Sequence, residues 1–304
     1  MQNYSKNHLI AIFTVILCLI IAIPLLLNQP STPPASAASE ESPAIEAEEA
    51  PVQDATAPFV IEGDLDAFQP QDPLQPVYDA YTIQYRQTQG FSTQRAKIQP
   101  YYHPNTVYLT FDDGPNDKNT VAVLDILKQE NVKATFFLLG NQLRDYPEVV
   151  KRIYNEHHAL GNHSYSHDYQ QLYASTDAYI NEMQKTDAAF QEIIGVRPLI
   201  TRAPGGVVGH FTDGYWQELD RFGYLEVGWN ISAGDSSDGV AEDLIGNIVH
   251  QLDTVPELND HAIILMHSSA GHEETVKALP EIIHILKSRG FSFGVITPST
   301  PPAW

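Results

Sequence analysis

The chain has 304 residues, enough for one large domain with additions or for two domains. Its 38 acidic residues against 17 basic ones give a net charge of -21, which excludes a nucleic acid or an anionic lipid surface as the natural partner. A single cysteine, Cys18, leaves no intrachain disulfide to hold a fold together.

Residues 9–27 form an almost unbroken apolar run, with Lys6 before it and no further Lys or Arg until Arg86. That length and flanking charge predict a transmembrane helix with a cytoplasmic N-terminus, leaving the remainder extracellular as a single-pass membrane protein. Ala35-Ser36-Ala37 resembles a signal-peptidase site, so release by cleavage is the alternative. Pro, Ala, Ser and Glu dominate the next stretch, and eleven acidic residues lie from Glu40 to Asp79. Such a composition predicts a disordered linker. Aromatic residues return at Phe59, Phe68, Tyr78, Tyr81, Tyr85 and Phe91. The expected organisation is an anchor at 1–28, a linker with a partly ordered extension at 29–100, and a catalytic domain at 101–304.

From Thr106 onward strand and helix patterns alternate. Strands are expected at 107–111, 134–138, 160–163, 199–202, 224–229, 262–266 and 291–296. Helices are expected at 121–130, 148–156, 177–194, 214–222, 241–252 and 275–289. Seven strands alternating with helices predict an α/β fold with a parallel sheet, either doubly wound or closed as a barrel.

The ends of these strands carry the chemistry. Asp112 and Asp113 stand together where the first strand meets a Gly114-Pro115 turn. Neighbouring carboxylates resist joint ionisation unless a cation compensates, although an Asp-Gly-Pro turn also serves simply to cap a helix. His163 and His167, four apart, would face the same way on one helical turn and share a cation. A pair of surface histidines is the plainer alternative. With one carboxylate they make three ligands and leave a coordination position open. Oxygen plus imidazole suits zinc. Arg202, in Thr201-Arg202-Ala203-Pro204-Gly205-Gly206, is placed to pair with a carboxylate, and the glycines admit close backbone approach. Further clusters are Trp229-Asn230-Ile231-Ser232-Ala233-Gly234-Asp235 and Ile263-Ile264-Leu265-Met266-His267.

Together these five clusters resemble, in order, the motifs of the polysaccharide deacetylases of carbohydrate esterase family 4. The likeness is strongest to the peptidoglycan N-acetylglucosamine deacetylases of Gram-positive bacteria, and it runs from about Thr106 to Pro298. The resemblance implies a distorted (β/α) barrel of about seven parallel strands and a bound divalent metal, Zn2+ or another transition ion such as Co2+. It implies Asp112 as catalytic base, Asp113, His163 and His167 as metal ligands, and Arg202 as the partner of the base. It further implies Asp235 as a supporting acid, His267 as general acid, Leu265 in the acetyl pocket, and Gly205 and Trp229 along the substrate groove. The chain departs from the family at Gly205, where a bulky residue is usual, and at Ser236, where Trp is usual.

The expected function is therefore metal-dependent removal of N-acetyl groups from N-acetylglucosamine in peptidoglycan glycan strands, releasing acetate, with no nucleic acid and no protein partner. Alternatives are a deacetylase of chitin oligomers or acetylated xylan, and a catalytically silent wall-binding module.

Overall fold

The computed structural model describes residues 57–70, 72 and 74–303. Three short elements come first: β1 (Phe59–Ile61), β2 (Val77–Asp79) and α1 (Ile83–Gln89). The alternating part begins with β3 (Thr106–Asp112), α2 (Asn119–Gln129), β4 (Thr135–Leu138), α3 (Gly140–Leu143) and α4 (Pro147–Asn155). It continues through β5 (Ala159–Asn162), α5 (Tyr169–Leu172), α6 (Thr176–Ile194), β6 (Arg197–Pro198), β7 (Ile200–Thr201) and α7 (Asp213–Arg221). Last come β8 (Leu225–Glu226), β9 (Ile231–Ser232), α8 (Ala241–Thr254), β10 (His261–His267), α9 (Glu273–Ser288) and β11 (Ser292–Gly294).

Seven parallel strands lie in the order β8-β7-β5-β4-β3-β10-β9, and β11 joins the lower half of β3. The end strands β8 and β9 do not pair, so the barrel is open on that side. β-Branched and aromatic residues fill β3 and β10, and strand alternation sorts them onto two faces. Val107, Leu109 and Phe111 of β3, with Ala262, Ile264 and Met266 of β10, pack outward against buried residues of α2, α8 and α9. Tyr108, Phe137, Ala159, Ile200, Val227 and Ile263, from six different strands or strand ends, meet in a separate inner cluster. One more inward position along β3 is Thr110 and the next is Asp112. Along β10 the inward positions after Ile263 are Leu265 and His267. The inner face thus delivers polar groups at its C-terminal rim, where barrels of this kind place their chemistry. Truncating an outward core residue such as Leu109 to Ala would cost about 2–5 kcal/mol.

The helices start and stop on local signals. Ser175 Oγ accepts the Ala178 amide at the head of α6, and Gly195 ends it in a left-handed conformation. Tyr179, Met183 and Phe190 form its buried face, at helical spacing. Pro147 opens α4.

Among the described residues no helix is long and apolar enough to cross a membrane. The longest, α6, carries Asp177, Glu182, Lys185, Asp187 and Glu192. The single-pass membrane localisation expected from the sequence is corrected accordingly. The apolar run at 9–27, on which it rested, and the linker up to residue 56 lie outside the described residues.

The aromatic stretch before the barrel packs as an extension of it. β2 pairs with β1 on one edge and, antiparallel, with β6 on the other. Asp79, fully buried, accepts from Arg86 Nε at 2.6 Å and from Arg197 Nε at 2.9 Å. Arg197 also reaches Asp187, which accepts from the Tyr224 hydroxyl at 2.6 Å. Two arginines and two aspartates compensate one another, the condition for burying charge.

Candidate active site

Asp112 ends β3 with its side chain turned inward. Its Oδ1 accepts from Arg202 Nη1 at 2.9 Å. Arg202, fully buried just after β7, spends its other donors on the Thr110 hydroxyl at 2.7 Å, the Val227 carbonyl at 3.0 Å and the Gly228 carbonyl at 2.9 Å. Its guanidinium carbon lies 4.2 Å from the Phe137 ring centre and 5.7 Å from that of Trp229. So fixed a cation holds its partner carboxylate in place.

Asp113 adopts a left-handed φ of 68°, which sends its side chain away from Asp112 toward the histidines. Its Oδ1 lies 3.3 Å from His163 Nε2 and 3.4 Å from His167 Nε2. That oxygen is buried and has no hydrogen-bond partner among the described residues. Burial pushes the Asp113 carboxyl up, but His163, His167 and His267 around it outweigh that effect and hold it well below the usual carboxylate range.

His163 follows β5, where its amide donates to the Leu138 carbonyl at 3.0 Å. Its Nδ1 lies 2.7 Å from the Arg202 carbonyl, which can only accept, so Nδ1 carries the proton. In the neutral ring Nε2 then offers a lone pair to the same place as Asp113 Oδ1. Burial disfavours a charge on His163, and the Asp112 and Asp113 carboxylates override it and raise its pKa. Two acceptors this close need either a proton or a cation between them.

The two histidines do not share a helical turn, as their spacing suggested. Residues 163–168 form a loop in which Ser164 and His167 both have positive φ. The loop is shaped by its own polar side chains. Asn162 Oδ1 accepts the Ser164 amide at 3.1 Å, and Ser164 Oγ accepts the His167 amide at 3.1 Å. Asp168 then caps α5 through the Gln170 and Gln171 amides. Convergence therefore comes from turn chemistry rather than helix periodicity.

One ligand atom from each of Asp113, His163 and His167 lies within 4.8 Å of the other two. The orphaned carboxylate oxygen, the tautomer fixed on His163 and the mixed oxygen and imidazole donors all suit a divalent metal with an open coordination position.

On the far side of this cluster His267 ends β10. Its Nδ1 lies 2.9 Å from Asp235 Oδ1, and its backbone amide donates to Asp235 Oδ2 at 2.7 Å. Thr275 Oγ1 donates to that same oxygen at 2.7 Å. Burial lowers the His267 pKa, but the Asp235 bond and the nearby carboxylates prevail and raise it to about 9. Its Nε2 faces Asp113 Oδ2 at 4.0 Å. The loop after β3 is tied to the loop after β10 by Asn116, whose side chain donates to the Ser268 carbonyl.

The remaining sequence-selected residues line the approach. Leu265 sits on the inner face of β10, one inward position before His267. Trp229 covers Arg202. Gly205 has φ of 71°, and its amide makes no hydrogen bond among the described residues. A Cβ on Gly205 would lie 2.5 Å from the Tyr169 hydroxyl. Tyr169 thus occupies the space a bulkier residue at 205 would fill. Neither Tyr169 nor the supporting Thr110 and Thr275 was singled out in the sequence. Tyr169 directly follows the capping Asp168, and no spacing relates it to Gly205. Ser236 brings its hydroxyl within 3.5 Å of His267 Nδ1.

A family model described as polysaccharide deacetylase matches residues 100–227. The putative polysaccharide deacetylase YheN of Bacillus subtilis is 36% identical over 203 residues, covering 65% of this chain and 69% of the relative. A peptidoglycan-N-acetylglucosamine deacetylase of Bacillus cereus is 37% identical over 198 residues, 63% of this chain and 67% of the relative. Among solved structures, a CE4 esterase of Streptococcus mutans superposes with a TM-score of 0.61 at 29% identity, covering 64% of this chain and 87% of that one.

Proposed function

The chain belongs to the polysaccharide deacetylase family, and we propose that it hydrolyses the N-acetyl groups of N-acetylglucosamine residues in peptidoglycan, releasing acetate. The observation that carries this reading is the buried, unpartnered Asp113 oxygen facing two imidazole nitrogens, flanked by an Arg-held carboxylate on one side and a carboxylate-held histidine on the other. Relatives named as peptidoglycan N-acetylglucosamine deacetylases support the choice of polymer.

In this reading Asp113, His163 and His167 hold a divalent ion, zinc being the best fit to their donor set. When bound there, it would supply Lewis-acid polarisation of the acetyl carbonyl and a water of pKa about 7. Asp112, held in place by Arg202, takes the proton from the attacking water. The Gly205 amide, which makes no hydrogen bond among the described residues, is available as a donor, and one such donor to a developing oxyanion contributes about 3–4 kcal/mol. Amines leave poorly unless protonated. His267, charged well above neutral pH through its bonds to Asp235, delivers that proton. Leu265 and Trp229 bound the space for the acetyl group and the sugar.

The test compares acetate release from purified peptidoglycan, chitin oligomers and acetylated xylan. Peptidoglycan is expected to be the best substrate. Release from xylan alone would overturn the choice of polymer. Wall binding with no acetate release at any metal concentration would overturn the hydrolase reading.

A further inference from the structure

The loop after β7 runs through Gly205 and Gly206, both with positive φ and neither with a side chain to line the cleft. Two aromatic residues from other parts of the chain stand against them. A Cβ on Gly205 would lie 2.5 Å from the Tyr169 hydroxyl, and a Cβ on Gly206 would lie 3.0 Å from the Trp229 ring. Tyr169 also meets the ligand cluster, its ring edge to face with that of His167 at 5.5 Å between centres. The wall beside the cluster is therefore aromatic on both flanks and bare backbone in the middle.

Tyr169 is held firmly. It opens α5 directly after the capping Asp168, and Tyr173, four residues on, falls on the same side of that turn. Their ring centres are 5.9 Å apart. The Tyr173 hydroxyl donates to the Pro204 carbonyl at 2.7 Å, and its ring lies parallel to that of His210 at 4.1 Å. His210 in turn meets the Tyr169 ring at 5.7 Å. One tyrosine thus pins the glycine loop while the other covers it.

The Tyr169 hydroxyl is left over. It makes no hydrogen bond among the described residues, and the side chain is 43% exposed although three rings pack around it. A phenol held this way has an apolar body already placed and a polar tip still to be matched. Its ordering cost is met before a ligand arrives, so one hydrogen bond to that ligand counts nearly in full.

We propose that Tyr169 is a specificity-determining contact residue whose hydroxyl bonds to a ring hydroxyl of the N-acetylglucosamine residue undergoing deacetylation. The proposal rests on the deacetylase reading and deepens it. Tyr169 supplies from α5 the wall that Gly205 leaves open, and it reads the sugar rather than the acetyl group.

Tyr169→Phe keeps the ring against His167 and removes only the hydroxyl. Its probes are chitotetraose, the alternating N-acetylglucosamine and N-acetylmuramic acid tetrasaccharide, and 4-nitrophenyl acetate, which offers an acetyl group without a sugar. KM for the oligosaccharides that are turned over should rise about five- to tenfold with kcat within about twofold, the scale of one hydrogen bond. Turnover of 4-nitrophenyl acetate and zinc affinity by calorimetry should stay within about twofold of the unaltered chain. An unchanged KM, a loss confined to kcat, an equal loss on 4-nitrophenyl acetate or a shift in zinc affinity would each overturn the sugar contact. If the unaltered chain releases acetate from neither oligosaccharide, the deacetylase reading fails by itself, and calorimetric titration of the zinc-loaded chain with the tetrasaccharide decides separately. Binding at least about fivefold weaker in Tyr169→Phe supports the contact, and equal binding or none overturns it.

Discussion

Asp235 grips His267 twice, through the ring Nδ1 at 2.9 Å and through the backbone amide at 2.7 Å. The first bond keeps a proton on the ring. The second fixes the strand end that carries it. Because His267 is raised to about 9, activity that depends on its charged form should fall as pH rises toward that value. An ion on Asp113 would cancel part of the surrounding negative charge, so the limb in the loaded enzyme should lie at or below about 9. Asp235→Asn keeps the shape and removes the charge. The alkaline limb of kcat should then move down by about one pH unit or more. An unmoved limb would show that another group sets it. The stability sign follows the same way. The folded pKa of His267 exceeds its unfolded value of about 6.5, so its contribution is complete below that pH and is lost as pH climbs toward 9.

The ligand cluster gives a second expectation. Replacing His163 by Ala removes the imidazole whose Nδ1 is anchored on the Arg202 carbonyl. Zinc affinity should weaken by more than about 100-fold, beyond what loss of a supporting hydrogen bond costs. Calorimetric titration reads this without any substrate.

Tyr169 and Gly205 should be coupled. Gly205→Ala meets both a left-handed φ and the Tyr169 hydroxyl. The backbone part costs about 1–2 kcal/mol, and the contact adds to it. Tyr169→Ala should relieve only the contact, so in a double-mutant cycle the pair should be less destabilised than the sum of the singles. Additive values would mean that the two side chains do not compete for one space.

Asp79 holds Arg86 and Arg197 together in a fully buried setting. Asp79→Ala should cost about 3–5 kcal/mol, since it strands the Arg86 guanidinium and leaves Arg197 with Asp187 alone. Denaturant unfolding measures it. A loss below about 1 kcal/mol would place the extension's anchorage elsewhere.

Legibility in the sequence followed element length. β3 and β10, seven residues each, announce themselves as apolar runs with β-branched content. β7, β8 and β9 have two residues each, too few for any period, and β9 passed unnoticed between Trp229 and Asp235. Asp112 and His267 stood out in the sequence because each closes an apolar run, and the structure brings both strand ends beside Asp113. The geometry that joins His163 to His167 was misread, because positive φ at Ser164 and His167 leaves no periodic trace. Tyr169 against Gly205 and Asp79 against Arg197 are contacts across long sequence separations. Pattern along a chain carries no signal for them.

The most direct measurement is acetate release from purified peptidoglycan by protein stripped with a chelator and then titrated with zinc. Activity should be absent in the stripped protein, return in proportion to zinc and saturate near one ion per chain, while Asp113→Ala and His163→Ala stay silent throughout. Full activity in the stripped protein, or in either variant, would contradict the assignment of Asp113, His163 and His167 to one shared ion.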